Sequence, residues 1–137
     1  MEQDRQDIRW KQRFQNFERA VLRLREGSVL LQANADNLLM QAGIIQMFEF
    51  TFELAWKLLK DYLQDEGFVL ASPKATIRQA FQSGYIDDAD DWMLALQDRN
   101  LTVHTYDDAT VTAVVHDICT KYIPMLDKLY TDFKQRL

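Results

Sequence analysis

The sequence contains few of the residues that interrupt helices, with four glycines and two prolines in 137 residues. Glycine weakens a helix through backbone entropy, and proline removes a backbone donor and clashes with the preceding turn. No stretch alternates apolar and polar residues with the period of two that marks a half-buried strand. The sequence therefore predicts an all-α fold without a sheet.

Cysteine is nearly absent, since Cys119 is the one residue of its type. A single cysteine excludes an intramolecular disulfide framework and is typical of a reducing compartment. The N-terminal residues contain no apolar segment typical of a signal peptide, and no apolar run reaches the length that spans a membrane. We therefore expect a cytoplasmic protein that does not associate with a membrane.

The motifs of nucleotide-binding and metal enzymes are also missing. There is no Walker loop and no glycine-rich dinucleotide fingerprint. A Gly27-Ser28 pair and an Asp88-x-Asp90 pair distantly resemble a nucleotidyltransferase, but that fold places them on strands, so we do not expect this chain to be the transferase. His116 and Cys119 are only two potential ligands, and two ligands do not make a metal site. We expect neither a metal nor a cofactor.

The sequence has the composition of one globular domain, which covers residues 1–137, with 47% hydrophobic residues and a net charge of −5. The charge is uneven, because residues 1–25 hold seven Arg or Lys against four acids, and residues 86–108 hold seven Asp against Arg99 alone. An acidic protein is not a general binder of nucleic acids. Any contact with a nucleic acid would therefore depend on a local basic site.

Apolar residues recur at helical spacing in five segments. The pattern predicts helices over residues 8–26, 37–66, 72–84, about 87–102 and 108–136. Gly27, Gly67 and Gly84 are expected to end helices, with a loop over residues 28–36. Pro124 lies inside the last pattern and predicts a kink, with a break into two helices as the alternative. Four long helices and a short one most simply form an antiparallel up-and-down four-helix bundle with an additional short helix.

The second helix is apolar around most of its circumference. A narrow polar stripe runs along it (Gln46, Glu49, Glu53, Lys57, Lys60 and Gln64), while the other positions hold Phe, Leu, Trp and Tyr. A helix of this kind is either central in the bundle or shared with another subunit, which favours a homodimer. The alternative is a core helix with a solvated stripe of ion pairs, from Glu53 to Lys57 and from Lys57 to Asp61, which explains the charges well and does not exclude a dimer.

The segment RNLTVHTY brings together the residues that metal-independent RNA cleavage requires. Arg99 can hold a phosphate through its planar guanidinium, and His104 can exchange a proton near neutral pH. Asn100 can bind the phosphate or orient the imidazole, and Tyr106 adds a hydroxyl and a ring. β-Branched residues after Asn100 favour the end of the helix there, which would let His104 fold back toward Arg99. The alternative is a histidine that only caps carbonyls at a helix end.

Four segments resemble the nucleotidyltransferase substrate-binding protein family, which belongs with the HEPN helical domains. They are IRWKQRFQNFERA at 8–20, FEFTFELAWKLLKDYLQDEG at 48–67, SPKATIRQAF at 72–81 and DRNLTVHTYD at 98–107. The resemblance implies a helical bundle, a homodimer and a separate minimal nucleotidyltransferase as partner chain. HEPN ribonucleases carry Arg, a polar residue and then His, which Arg99, Asn100 and His104 match.

The resemblance leaves two functions open. Toxin members extend the motif to a tyrosine, matched by Tyr106, to which the partner can transfer AMP and thereby silence the ribonuclease. In the first hypothesis the chain is such a toxin in a toxin–antitoxin pair, with Arg99, Asn100 and His104 as catalytic residues. In the second it is a non-catalytic accessory subunit that binds substrate or nucleotide for the transferase. A third hypothesis is a helical dimer without activity.

Overall fold

The computed structural model describes residues 2–102 and 107–137, and the secondary structure of these residues consists of helices joined by turns and short loops. The helices are α1 (Glu2–Gln32), α2 (Leu38–Asp65), α3 (Pro73–Gln82), α4 (Ala89–Thr102), α5 (Asp108–Asp117) and α6 (Ile123–Lys134), with a π-helical segment, Ile118–Tyr122, joining α5 to α6. The long helices form the predicted up-and-down four-helix bundle, and α3 is the additional short helix. The predicted fold class is therefore confirmed.

The core is a single cluster of apolar and aromatic side chains centred on α2. Phe48, Phe52, Leu58, Leu59 and Leu63 are completely buried, and α2 contacts every other α-helix in the described part of the chain. Burying a large apolar side chain contributes on the order of 1.5–3 kcal/mol. The apolar circumference of α2 therefore organises the whole bundle.

Several predicted helix ends are confirmed by their capping contacts. The Asn37 side chain accepts a hydrogen bond from the Met40 amide at 3.0 Å and begins α2. Ser72 does the same for α3 through the Ala75 amide at 3.1 Å. Gly67 follows α2 with a φ of 100°, a left-handed conformation in which a side chain would be strained. These local signals set the bounds of α2 and α3.

The predicted end of the first helix at Gly27 is wrong, and the loop predicted over residues 28–36 is confirmed only for residues 33–36. α1 continues to Gln32, and Leu31 extends its buried face. A Cβ atom built at Gly27 would lie 3.1 Å from the Met47 sulfur and 3.2 Å from Ile44 Cδ1. Glycine here allows α1 and α2 to approach closely, and packing between the helices outweighs its poor helix propensity.

The helix that contains Pro124 continues without a non-helical residue from Asp108 to Lys134. The π-helical segment ends at Tyr122, two residues before the proline, and the Ile123 amide donates to the Ile118 carbonyl. Widened turns of this kind are found where a regular helical hydrogen bond is interrupted, and often at functional sites. The alternative of a break into two helices is thus right in part, since two α-helices are present, but a π-helical segment rather than a loop joins them.

No helix within residues 2–102 and 107–137 is long and apolar enough to cross a membrane.

The close approach at Gly27 leads to a prediction about stability. We expect Gly27→Val to lower the free energy of unfolding by about 1–3 kcal/mol, because the added atoms overpack the contact with Met47 and Ile44. Gly43 is the matched control, since a Cβ atom there would meet nothing within 4 Å. Gly43→Ala should raise stability by about 0.5–1 kcal/mol through helix propensity. Urea unfolding measures both, and equal effects of the two substitutions would contradict this account.

Candidate functional site

The seven-residue spacing between Trp92 and Arg99 along α4 determines where Arg99 points. Seven residues return an α-helix to nearly the same side of its axis, so Arg99 lies on the face that carries Trp92. Trp92 is buried against Phe52 of α2, with ring centroids 5.8 Å apart. Because Trp92 fixes the beginning of α4 on α2, the same face of α4 directs Arg99 toward α2 as well.

Arg99 forms an ion pair with Glu53 across the α2–α4 contact. Its Nη2 atom donates to Glu53 Oε2 at 3.0 Å. Its Nη1 atom lies 3.4 Å from the side-chain oxygen of the exposed Asn100. Two of the predicted site residues therefore lie together at the end of α4, and a glutamate 46 positions earlier in the chain holds one of them.

Glu53 is itself held by two neighbours on α2. The Trp56 indole donates to Glu53 Oε2 at 3.1 Å, and the Lys57 ammonium lies 3.3 Å from Oε1. Partial burial works to raise the pKa of Glu53, but hydrogen bonds from Trp56 and Lys57 and the charge of Arg99 outweigh it and hold the pKa below its ordinary value. Glu53 is therefore an ionised anchor for Arg99 and a poor general base near neutral pH.

The stripe of ion pairs predicted along α2 is only partly right. Glu53 pairs with Lys57, as predicted. Asp61 is buried and pairs with Arg13 of α1 at 3.0 Å, so the predicted pair between Lys57 and Asp61 is wrong. A buried carboxylate needs a partner that also supplies hydrogen bonds, and an arginine from the neighbouring helix does so.

The other two predicted site residues, His104 and Tyr106, lie outside the described residues. α4 is described as far as Thr102, so the helix end predicted between Asn100 and Val103 stays a prediction. α5 begins at Asp108, where the Asp107 side chain accepts from the Ala109 amide at 3.2 Å. The convergence of His104 on Arg99 therefore stays a prediction.

Sequence reasoning misses the roles of Glu53 and Asp98 at this end of α4. The sequence pattern assigns Glu53 to a solvated stripe, although its place in the midst of an aromatic block is a sign that it would be partly enclosed. Asp98 stands out in the sequence only as a member of the acidic run. Its carboxylate accepts a hydrogen bond from the Tyr122 hydroxyl, a contact between residues 24 apart that has no local signal.

His116 and Cys119 line one cavity of about 360 Å³, which α5 and the π-helical segment form with the end of α1 and the α1–α2 turn. Burial raises the pKa of the Cys119 thiol, so it is poorly suited to act as a thiolate ligand or nucleophile. Within the described part of the chain, no three His, Cys, Asp or Glu side chains are grouped so that they could hold a metal ion.

A larger groove of about 700 Å³ runs between α1 and α2. Its walls include the arginines Arg19 and Arg23 and the apolar side chains of Met47, Phe50 and Leu54. Phe50 is 62% exposed. Two basic residues of the N-terminal helix therefore line this groove, together with an exposed aromatic ring of α2.

A family model described as nucleotidyltransferase substrate binding protein like matches residues 12–135. This match covers nearly all of the chain, including α4 and the segment after it. The chain belongs to this family. The nucleotidyltransferase substrate-binding family is also the one indicated by the resemblance of its four segments.

Two solved structures are similar to this chain over most of its length. A protein from Thermus thermophilus is 31% identical, has a TM-score of 0.75 and matches 85% of this chain and 97% of its own. A Haemophilus influenzae structure, described as the fold of a substrate-binding domain of a nucleotidyltransferase, is 26% identical with a TM-score of 0.80, over 89% of this chain and 99% of its own.

The chain is also similar to a curated Haemophilus influenzae protein named probable ribonuclease HepT. The two are 37% identical over 87 residues, which is 56% of each chain. The alignment thus spans just over half of the length of this relative.

The environment of Glu53 predicts a pH dependence of stability. A carboxylate whose pKa is lowered by folding stabilises the chain above its unfolded pKa, and this contribution is lost as the pH falls through the folded pKa. We expect Glu53→Gln to lower the free energy of unfolding at pH 7 by roughly 0.5–1 kcal/mol, the range of a partly exposed ion pair. The difference from wild type should vanish in strongly acidic solution.

Denaturant unfolding across the acidic range measures this difference. Glu26→Gln is the control, because Glu26 is exposed on α1 and none of the ion pairs of the described residues includes it. A difference between wild type and Glu53→Gln that did not change with pH would contradict the role of the Glu53 charge.

Proposed function

We propose that this chain is the helical partner of a separate minimal nucleotidyltransferase and a metal-independent ribonuclease of the HEPN type. The observation that carries the proposal is the Arg99 guanidinium, which Glu53 orients at the end of α4 directly before the segment that contains His104 and Tyr106. Support comes from the family match and from the relative named probable ribonuclease HepT.

The proposed reaction uses the 2′-hydroxyl of the RNA as nucleophile. His104 removes its proton, the 2′-oxygen attacks the adjacent phosphorus, and Arg99 stabilises the charge that develops on the phosphate oxygens. The bond from phosphorus to the 5′-oxygen breaks, and that oxygen takes up a proton. The products are a 2′,3′-cyclic phosphate and a 5′-hydroxyl, and Asn100 contributes a hydrogen bond to the phosphate or the imidazole.

The RNA-cleavage proposal is tested with purified full-length chain, single-stranded RNA and EDTA. We expect His104→Ala to lower the cleavage rate about 10²–10⁴-fold, the usual contribution of general acid–base catalysis. Arg99→Ala should also lower it strongly by removing the phosphate contact. Cleavage by wild type should persist in EDTA, because the proposed steps use only protein side chains.

Arg25→Ala is the matched control for Arg99→Ala. Arg25 also pairs with a carboxylate on another helix, Asp127 at 2.5 Å, and the two ion pairs are similarly exposed. This substitution removes an arginine and an ion pair elsewhere in the bundle and should leave cleavage unchanged. If wild type and His104→Ala cleave equally, the ribonuclease function is wrong.

Control by the partner chain is proposed to act at Tyr106. Its hydroxyl attacks the α-phosphate of ATP on the transferase, AMP is transferred and pyrophosphate leaves. The adduct adds bulk and negative charge to the segment that follows Arg99 in the sequence, which would repel the RNA backbone. We expect mass spectrometry to find one AMP on Tyr106 after incubation with transferase and ATP, with a loss of cleavage.

Tyr106→Phe separates modification from activity. This variant should gain no AMP and should keep cleaving RNA in the presence of transferase and ATP. Tyr85→Phe, which changes a tyrosine between α3 and α4, should be modified and silenced like wild type. An adduct at another residue, or none, would contradict the proposed site of control.

We also propose a homodimer formed through the exposed apolar side of α2. Phe52 and Trp56 are buried within the single chain, whereas Phe50 and Met47 are 62% and 40% exposed. Phe50 lies one turn before Glu53, so a second copy seated on this face would bring two Arg99 side chains to one interface. This arrangement supports a cleft shared by the two protomers.

A charge at Phe50 tests the dimer. We expect Phe50→Glu to give a folded monomer in light scattering, because an interface cannot bury an unpaired carboxylate without a large cost. Phe81→Glu is the control, since Phe81 is similarly exposed, at 50%, on α3. A wild-type monomer at micromolar concentration, or equal effects of the two variants, would contradict this interface.

The second candidate function is a non-catalytic subunit that binds substrate or nucleotide for the transferase. The family description favours it, and the α1–α2 groove, with two arginines and an exposed aromatic ring, has the size of a small-molecule site. Titration of the reconstituted complex with ATP, comparing wild type with Arg23→Ala, tests it. Binding without cleavage would select this function.

A further inference from the structure

Asp98 and Arg99 connect the end of α4 to two different neighbours. Consecutive residues of an α-helix point about 100° apart around its axis. Arg99 reaches Glu53 of α2, while the carboxylate of Asp98 accepts a hydrogen bond from the hydroxyl of Tyr122, in the π-helical segment, at 2.5 Å. The last turns of α4 are therefore held from two directions.

Tyr122 is a rigid donor for this contact. It is 1% exposed, and its ring stacks on Phe48 of α2 with centroids 5.2 Å apart. Burial and the hydrogen bond to Asp98 raise the pKa of Tyr122 well above its ordinary range, so the hydroxyl keeps its proton. A buried ring of this kind holds its hydroxyl at a fixed point beside α4.

The π-helical segment supplies the place for Tyr122. Its widened turn, closed by the hydrogen bond from the Ile123 amide to the Ile118 carbonyl, inserts an extra residue relative to a regular helix. Because the segment ends at Tyr122, its turn sets the direction from which this side chain meets both Phe48 and Asp98.

The contacts between α2, α4 and the π-helical segment form a closed circuit. It leads from Phe48 on α2 to Tyr122, from Tyr122 to Asp98, along the backbone to Arg99, and from Arg99 to Glu53 on α2. The two ends of this circuit are only five residues apart on one helix. A closed set of contacts restricts both the rotation of α4 about its axis and the direction of Arg99.

We propose that Asp98 and Tyr122 are positioning residues for Arg99: they fix the rotation of the last turns of α4, so that the guanidinium lies where the phosphate of the RNA is cleaved. This inference rests on the proposed ribonuclease function. Neither side chain touches the substrate in this arrangement. Their effect is therefore expected in the transition state, where a small displacement of a charged group has a large effect on rate.

Tyr122→Phe tests the proposal because it removes the hydroxyl and keeps the stacked ring. We expect kcat for cleavage of single-stranded RNA to fall about tenfold or more, while KM changes by less than about twofold. Asp98→Ala should have the same effect. Asp98→Asn should keep most of the activity, since the amide oxygen still accepts the hydrogen bond from Tyr122.

Tyr130→Phe is the matched control. Tyr130 is also buried, stacks on Phe14 with centroids 5.8 Å apart and donates to the carboxylate of Glu18 at 2.7 Å. Tyr122→Phe and Tyr130→Phe each lose one hydrogen bond to a carboxylate, so the two variants should lose similar thermal stability. Only Tyr122→Phe should lower kcat. Equal kcat values for the two variants, or a loss of activity in Asp98→Asn as large as in Asp98→Ala, would overturn the proposal.

A spectroscopic measurement separates the positioning role from the ribonuclease function. Side-chain NMR of arginine reports the Arg99 Nε–H group in the full chain without RNA. We expect this signal to shift or broaden in Tyr122→Phe and to stay unchanged in Tyr130→Phe. If wild type does not cleave RNA, the proposed function fails and this signal still decides whether Tyr122 positions Arg99. An unchanged Arg99 signal in Tyr122→Phe would overturn the proposal.

Discussion

The apolar circumference of α2 is the constraint on which the rest of the structure depends. A helix with large apolar side chains on most sides must be surrounded to be stable in water. In the described chain every other α-helix packs on α2, which leaves its narrow polar stripe for charged groups. The position of each other helix, and with it the location of the site, follows from this requirement.

Two acidic residues of α2 form ion pairs with arginines of two different helices. Asp61 binds Arg13 of α1, and Glu53 binds Arg99 of α4. The carboxylate of the first pair is more deeply buried than that of the second, since the Asp61 side chain is 7% exposed and the Glu53 side chain is 30% exposed. The Asp61–Arg13 pair thus attaches α1 to α2. The Glu53–Arg99 pair orients a guanidinium near the surface, close to the end of α4.

Arg99 therefore belongs both to the bundle and to the candidate site. Its partners come from α2 and from its own helix, and its neighbour Asp98 contacts Tyr122 of the π-helical segment. Residues from widely separated parts of the chain meet at the end of α4. Such a construction fixes the direction of one guanidinium in a small protein of the nucleotidyltransferase substrate-binding family.

The sequence by itself determined the all-α fold, the ends of α2 and α3 and the family, because helical periodicity, capping residues and motif residues are local signals. The site roles of Arg99, Asn100, His104 and Tyr106 stay predictions, as does the convergence of His104 on Arg99. Only the tertiary structure decided that α1 passes through Gly27 to approach α2, that Asp61 pairs with Arg13, and that Glu53, Asp98 and Tyr122 hold the end of α4. The hydrogen bonds among these residues span 24 to 48 positions of the chain, and long-range packing rather than local preference selects them.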